Sequence, residues 1–313
     1  MTSGGDASLG GSAVRAGRRD CSPAVLNRLQ LLVSRRLDGL LQGDHLGLLP
    51  GPGSEAGESR EYVVGDDVRR MDWPVTARTT VPHVRLTAAD RELETWLAVD
   101  LSASMDFGTA RMLKRDLVLA ASAAMIHLTV RGGNRAGVVI GPGDGSLIHR
   151  PARGGRLAAQ ALLKSIAATA SRQGQADLGD LVEALNRPPR RRGLAVILSD
   201  FLPPPTTWLR PMRKLARRHD VLAIEVADPR ELGLPDVGVL EIIDPETGAV
   251  HEIQTADAAL RSRYAEAASR QRAEIALAVR DAGAQLMRLR TDSDWLRDLV
   301  RFVAMLRHRR RRS

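Results

Sequence analysis

The chain has 313 residues, 43% of them hydrophobic and 27% charged, with Cys21 as its single cysteine. That balance excludes a peptide-sized or fibrous protein and suffices for one large or two modest domains. A lone cysteine excludes an intrachain disulfide and a cysteine-rich zinc site. The formal net charge is +9, but Arg190–Arg192 and a tail of Arg307 and Arg309–Arg312 carry most of it. The body is nearly neutral, and a specific nucleic-acid function is not indicated. Of 46 basic residues only Lys114, Lys164 and Lys214 are lysines, a bias that reads as compositional. No apolar stretch reaches the roughly 18 residues that cross a bilayer, and residues 1–17 lack a hydrophobic signal core. The expectation is a cytoplasmic protein without a transmembrane segment.

Residues 1–20, rich in Gly, Ser and Ala, read as a disordered arm. From Pro23, Val25, Leu26, Leu29, Leu32, Val33, Leu37, Leu40 and Leu41 mark one face of an amphipathic helix that Gly43 ends. Residues 46–90, punctuated by Gly and Pro, read as loops and short strands, so that 21–90 forms an amino-terminal segment. A regular pattern follows over 91–306. Trp96–Val99 reads as a buried strand, Arg111–Val130 as a long helix, and Ala136–Ile140 with Ser146–His149 as a hairpin. Helices over Arg156–Thr169 and Leu178–Leu185 precede an apolar strand at Leu194–Leu198. A helix at Trp208–Arg218, a strand at Val221–Val226 and a hairpin of Val239–Ile243 with Val250–Ile253 come next. Ala256–Ala282 is a long helix, Gln285–Leu289 a strand, and Trp295–Arg307 a closing helix before the basic tail at 307–313. Apolar strands alternating with helices predict an α/β domain with a doubly wound, mainly parallel sheet covered by helices on both faces.

Phosphate-cradling and dinucleotide-binding glycine loops, a His-Glu-x-x-His pair and a Gly-x-Ser-x-Gly elbow are all missing. The candidate site lies instead where strands end. Asp100-Leu101-Ser102-Ala103-Ser104 follows the first apolar strand, and in extended chain Asp100, Ser102 and Ser104 share one side. Ser199-Asp200 ends the Leu194–Leu198 strand, and parallel neighbours would bring Asp200 beside Asp100. Oxygen-only donors suit a hard cation, Mg²⁺ or Mn²⁺. Each segment taken alone also suits a helix cap or turn.

Asp100-Leu101-Ser102-Ala103-Ser104 resembles the Asp-x-Ser-x-Ser signature of von Willebrand factor A domains, whose metal-ion-dependent adhesion site adds a loop threonine and a later aspartate. Asp200 matches the aspartate. The threonine segment is matched by Ala176-Asp177-Leu178-Gly179, where Ala176 cannot coordinate, leaving Asp177 as a weaker ligand. Upstream, Arg60-Glu61-Tyr62-Val63-Val64-Gly65-Asp66-Asp67-Val68-Arg69-Arg70-Met71-Asp72-Trp73 with Thr76-Ala77-Arg78 is similar to the hallmark of the bacterial domain-of-unknown-function 58 (DUF58) family. In that segment Arg60, Tyr62, Asp66, Asp67, Arg69, Asp72, Trp73 and Arg78 form either a structural ion-pair network or a partner-recognition surface.

The resemblance implies a von Willebrand A-like fold and a non-enzymatic protein-binding module that acts with a MoxR-type AAA+ ATPase on an unknown client protein. Two rival readings are a metal-assisted phosphoester hydrolase and an arginine-tail binder of nucleic acid or membrane surfaces.

Overall fold

Runs of β-branched and aliphatic residues bounded by glycine, proline and charge build the strands, and helices fill the intervals between them. The computed structural model describes Arg35 and residues 59–64, 66–85, 93–172, 177–187, 193–243 and 250–310. The expected arm at 1–20, the Pro23–Gly43 helix apart from Arg35, Gly65, Ala176 and the 190–192 arginine run lie outside the described residues.

In chain order the strands are β1 (Ser59–Glu61), β2 (His83–Arg85), β3 (Glu94–Asp100), β4 (Arg135–Gly141) and β5 (Ile148–Arg153). They continue with β6 (Leu194–Ser199), β7 (Asp220–Ala227), β8 (Val239–Ile243), β9 (Val250–Gln254) and β10 (Gln285–Arg290). The helices are α1 (Trp73–Thr79), α2 (Lys114–Arg131), α3 (Arg156–Ala168), α4 (Leu178–Leu185) and α5 (Pro205–Ala216). After them come α6 (Pro229–Leu232), α7 (Ala258–Asp281) and α8 (Trp295–Arg310).

Six strands form one sheet in the order β10-β7-β6-β3-β4-β5. All neighbours are parallel except β5, which runs antiparallel to β4 at one edge. Side chains alternate across β3. Leu97 and Val99 face a core shared with α2, α3 and α8, while Trp96 and Ala98 face a second core with α4, α5 and α7. Helices therefore cover both faces, as the sequence pattern predicts. The long helix α2 is buried around most of its circumference, which fits its run of Leu, Val, Ala, Met and Ile.

Two differences matter. The 46–90 stretch contains a helix, α1, where only loops and strands are expected. Its start is built by the Asp72 carboxylate, which accepts from the Val75 N–H, and by Pro74 in the first turn. The closing helix also runs to Arg310, into the expected basic tail.

Connections leave β3 toward β4 and leave β6 toward β7, in opposite directions along the sheet. Adjacent strands β3 and β6 thus flank a topological switch point, where a crevice opens beyond the carboxyl ends of the strands.

Candidate functional site

β3 and β6 lie side by side with Val99 opposite Leu198, so Asp100 and the Ser199-Asp200 pair reach the same rim. Asp100 Oδ2 accepts from Ser199 Oγ at 2.7 Å, and Oδ1 accepts from the Ser102 N–H at 3.0 Å. Ser104 Oγ donates to Asp200 Oδ2 at 2.7 Å and lies 3.2 Å from Ser102 Oγ. Asp200 Oδ1 accepts from the Leu202 N–H at 3.2 Å. The four side chains are buried, yet all line one cavity of about 500 Å³. The predicted convergence of Asp100, Ser102, Ser104 and Asp200 is present.

Its local cause differs from the expectation. The strand ends at Asp100, and Ala103–Asp106 form a single 3₁₀ turn entered at Ser102. That turn, rather than continued extended chain, swings Ser104 onto Asp200. Phe201, just after Asp200, has φ 55°, the left-handed region that aromatic residues rarely enter. Ser199 Oγ accepts from its N–H at 3.1 Å, and its buried ring meets Trp208 edge-on at 5.3 Å. Packing thus holds a backbone bend that aims Asp200.

Asp177 also lines the cavity. Its Oδ1 is committed to capping α4, accepting from the Gly179 N–H at 2.7 Å and the Asp180 N–H at 3.4 Å. This commitment leaves Asp177 less available as a further ligand, in keeping with the weaker part expected of it.

Behind Asp200 stands a residue that sequence reasoning missed. Lys114, the first residue of α2, is 0% exposed; its Nζ donates to Asp200 Oδ2 at 2.9 Å and to Glu231 Oε1 at 2.5 Å. Arg272 continues the network, donating from Nη1 to the Asp200 carbonyl at 3.2 Å and to Glu225 Oε1 at 2.8 Å. Arg288 Nε donates to Glu225 Oε2 at 2.6 Å. The available signals were Lys114 as one of three lysines and Glu225 as a charge inside an otherwise apolar strand.

The charges act unequally on the two acids. Burial first, then the Asp200 carboxylate, push the Asp100 carboxyl above the ordinary aspartate range. Burial also works upward on Asp200, but the Lys114 charge and the hydrogen bonds from Lys114, Ser104 and Leu202 outweigh it and hold Asp200 low. Lys114 loses by burial and gains more from Asp200 and Glu231, so its affinity for the proton rises.

The upstream motif divides into frame and surface. Asp66 takes a two-pronged contact from Arg60, at 2.7 and 2.6 Å. Asp67 caps its own turn through the Arg69 N–H at 3.0 Å. Asp72, buried, accepts from Ser59 Oγ at 2.7 Å. The acids thus hold the β1–β2 unit together. Tyr62 is half-buried, Arg69 and Arg78 are exposed, and Trp73 is 67% exposed.

A doubly wound sheet with Asp100-x-Ser102-x-Ser104 and Asp200 at its switch point is the arrangement that the resemblance to von Willebrand factor A domains implies. The model of a family described as "Protein of unknown function DUF58" matches residues 58–274, and the chain belongs to that family. It is 57% identical over 288 residues to the uncharacterized protein Rv1480 of Mycobacterium tuberculosis, covering 91% of this chain and 89% of that one.

Among solved structures, a von Willebrand factor type A protein from Catenulispora acidiphila aligns at TM-score 0.32 and 16% identity over 61% of this chain and 44% of its own. An aerotolerance-related membrane protein from Bacteroides fragilis aligns at TM-score 0.44 and 14% identity, over 68% and 99%. With a neighbour so described, the cytoplasmic expectation is corrected and withdrawn. Among the described residues no helix is long and apolar enough to cross a membrane, which does not fix a compartment.

Proposed function

We propose that this chain is a non-enzymatic protein-binding module whose Asp100, Ser102, Ser104 and Asp200 form a degenerate metal-ion-dependent adhesion site, acting with a MoxR-type AAA+ ATPase in the maturation of a client protein. The observation that carries the reading is the meeting of two carboxylates and two hydroxyls, from strands far apart in sequence, on one open cavity.

The donors fit a hard cation in kind. All are oxygens, and Asp100, raised by its burial and by its acidic neighbour, lies in a site short of positive charge on its side. Among the described residues no three of His, Cys, Asp and Glu are placed to hold a metal ion together, so the reading relies on the serine hydroxyls for half of its four donors. A bound Mg²⁺ or Mn²⁺ would supply an open coordination position for a carboxylate oxygen of the partner.

The chain's own part is to hold the donors still. Ser199 and the Ser102 N–H fix Asp100, while Ser104, Leu202 and Lys114 fix Asp200. Exposed Trp73 with Arg69 and Arg78 offers a second contact surface for the ATPase or client. Calorimetric titration of Mg²⁺ and Mn²⁺ into the full chain and Asp100→Ala, repeated with the purified ATPase, tests this. Metal-dependent heat in the parent that disappears in the variant is expected; identical heat in both overturns the ligand assignment.

A further inference from the structure

A cation at the start of a helix faces the positive end of the helix dipole, and burying one without exposure adds a desolvation cost. Lys114 bears both burdens as the first residue of α2. It does so in a chain where 46 basic residues include only three lysines, so composition alone would place an arginine there. A guanidinium is a planar fork suited to bidentate contacts, whereas an ammonium is a compact point charge. At Lys114 the point charge sits between Asp200 Oδ2 and Glu231 Oε1, with its Nζ 5.9 Å from the centre of the Phe107 ring.

The charges around it alternate. Arg272 pairs with Glu225 and approaches Glu231 at 3.6 Å, and Arg288 pairs with Glu225. Each of these acids has a basic neighbour. Asp200 has Lys114, but the polar partners of Asp100 are Ser199 Oγ and the Ser102 N–H, which carry no charge. The positive charge at the site is thus displaced to one side, on the Asp200 oxygen that also accepts from Ser104.

We propose that Lys114 is a resident counter-ion of Asp200 and sets the cation preference of the site: it keeps the donors assembled without a metal and weakens the binding of any divalent cation that enters. This rests on the reading of Asp100, Ser102, Ser104 and Asp200 as cation donors. Lys114 acts through Asp200 and is a positioning residue. A divalent ion must share Asp200 with a charge already bound, so Asp100 and the hydroxyls contribute most of the attraction.

Mn²⁺ alone is the probe, followed by calorimetry and by the electron paramagnetic resonance signal of free Mn²⁺, on the full chain and on Lys114→Gln, Lys114→Met and Lys114→Arg. Glutamine keeps a donor toward Asp200 without the charge, so it guards against a methionine variant that fails to fold; thermal melts establish which variants are folded. Removing one positive charge from the edge of the site is expected to tighten Mn²⁺ about tenfold or more in Lys114→Gln and Lys114→Met, with Lys114→Arg remaining near the parent. Binding to the parent that is unchanged or weaker in the neutral variants overturns the counter-ion role and leaves the adhesion-site reading standing. Absence of Mn²⁺ binding in every folded protein overturns both.

Discussion

Glu225 lies in the middle of β7 with 0% exposure, holding Arg272 at 2.8 Å and Arg288 at 2.6 Å. Glu225→Leu would suit the surrounding apolar strand but would strip two cations of their partner. Arg288 is nearly half-exposed and can turn to water, so its share is at most about 1 kcal/mol. Arg272 is buried, and its remaining acidic neighbour, Glu231, is 3.6 Å away. Breaking a buried pair on one side costs about 3–5 kcal/mol, and the residual contacts of Arg272 place the expected loss near the lower end, about 3–4 kcal/mol. In a domain of this size each kcal/mol moves the melting temperature by about 2–4 °C, giving a fall of about 6–16 °C. Urea and thermal unfolding of the full chain measure it. Adding Arg272→Met should recover much of the loss, because an apolar replacement of both partners is often near neutral. A loss below about 1 kcal/mol, or a double variant no better than Glu225→Leu alone, would refute the account.

Asp228 offers a pH test. Burial pushes its carboxyl up, but hydrogen bonds from the Thr109 hydroxyl and N–H, the Arg230 N–H and Thr291 hold it below the ordinary value of about 3.9. Its contribution is therefore present above about pH 4 and is lost as the pH falls through the folded-state value. Acid unfolding should begin at lower stability and be less steep in Asp228→Asn, and equal slopes would contradict this. Gly143 has φ 112°, and a Cβ there would lie 2.6 Å from the Arg172 carbonyl oxygen and 3.0 Å from Ser102 Cα. Gly143→Ala should cost about 1–3 kcal/mol in urea unfolding and displace Ser102, weakening Mn²⁺ by calorimetry. Asp72→Ala should destabilise the β1–β2 unit by about 1–2 kcal/mol through loss of the α1 cap, as read by faster amide exchange there. Trp73→Ala should change stability by no more than about 0.5 kcal/mol while reducing capture of the proposed ATPase partner. Removing residues 307–313 should leave that capture unchanged in a pull-down.

The sheet was legible because its strands carry their own period and length. Leu194–Leu198 and Val221–Val226 are too short and too apolar for surface helices, and both lie within the observed β6 and β7. Leu178–Leu185 coincides with α4 because Asp177 supplies a cap and leucines mark its buried face. The site's oxygens were legible for the same reason: strand ends locate them. Lys114, Glu225 and Arg272 were not, because their meaning depends on partners up to 117 residues away and no local period encodes such pairings. Phe201's backbone bend was also hidden, since a phenylalanine signals burial without signalling a left-handed turn. The short α1 helix is hard to read from sequence although Asp72 and Pro74 mark its start, because Gly and Pro nearby weight the segment toward loops.

Ser104 and Asp200 are 96 residues apart, and Ser199 and Asp100 are 99 apart. A nascent chain that has emerged only through β4 carries Asp100, Ser102 and Ser104, three of the four donors, but neither Ser199 nor Asp200 to fix them. Any ligand of the finished cluster favours the folded chain over the unfolded one by mass action. Occupancy would thus report that synthesis has passed β6 and that the central pair of strands has closed.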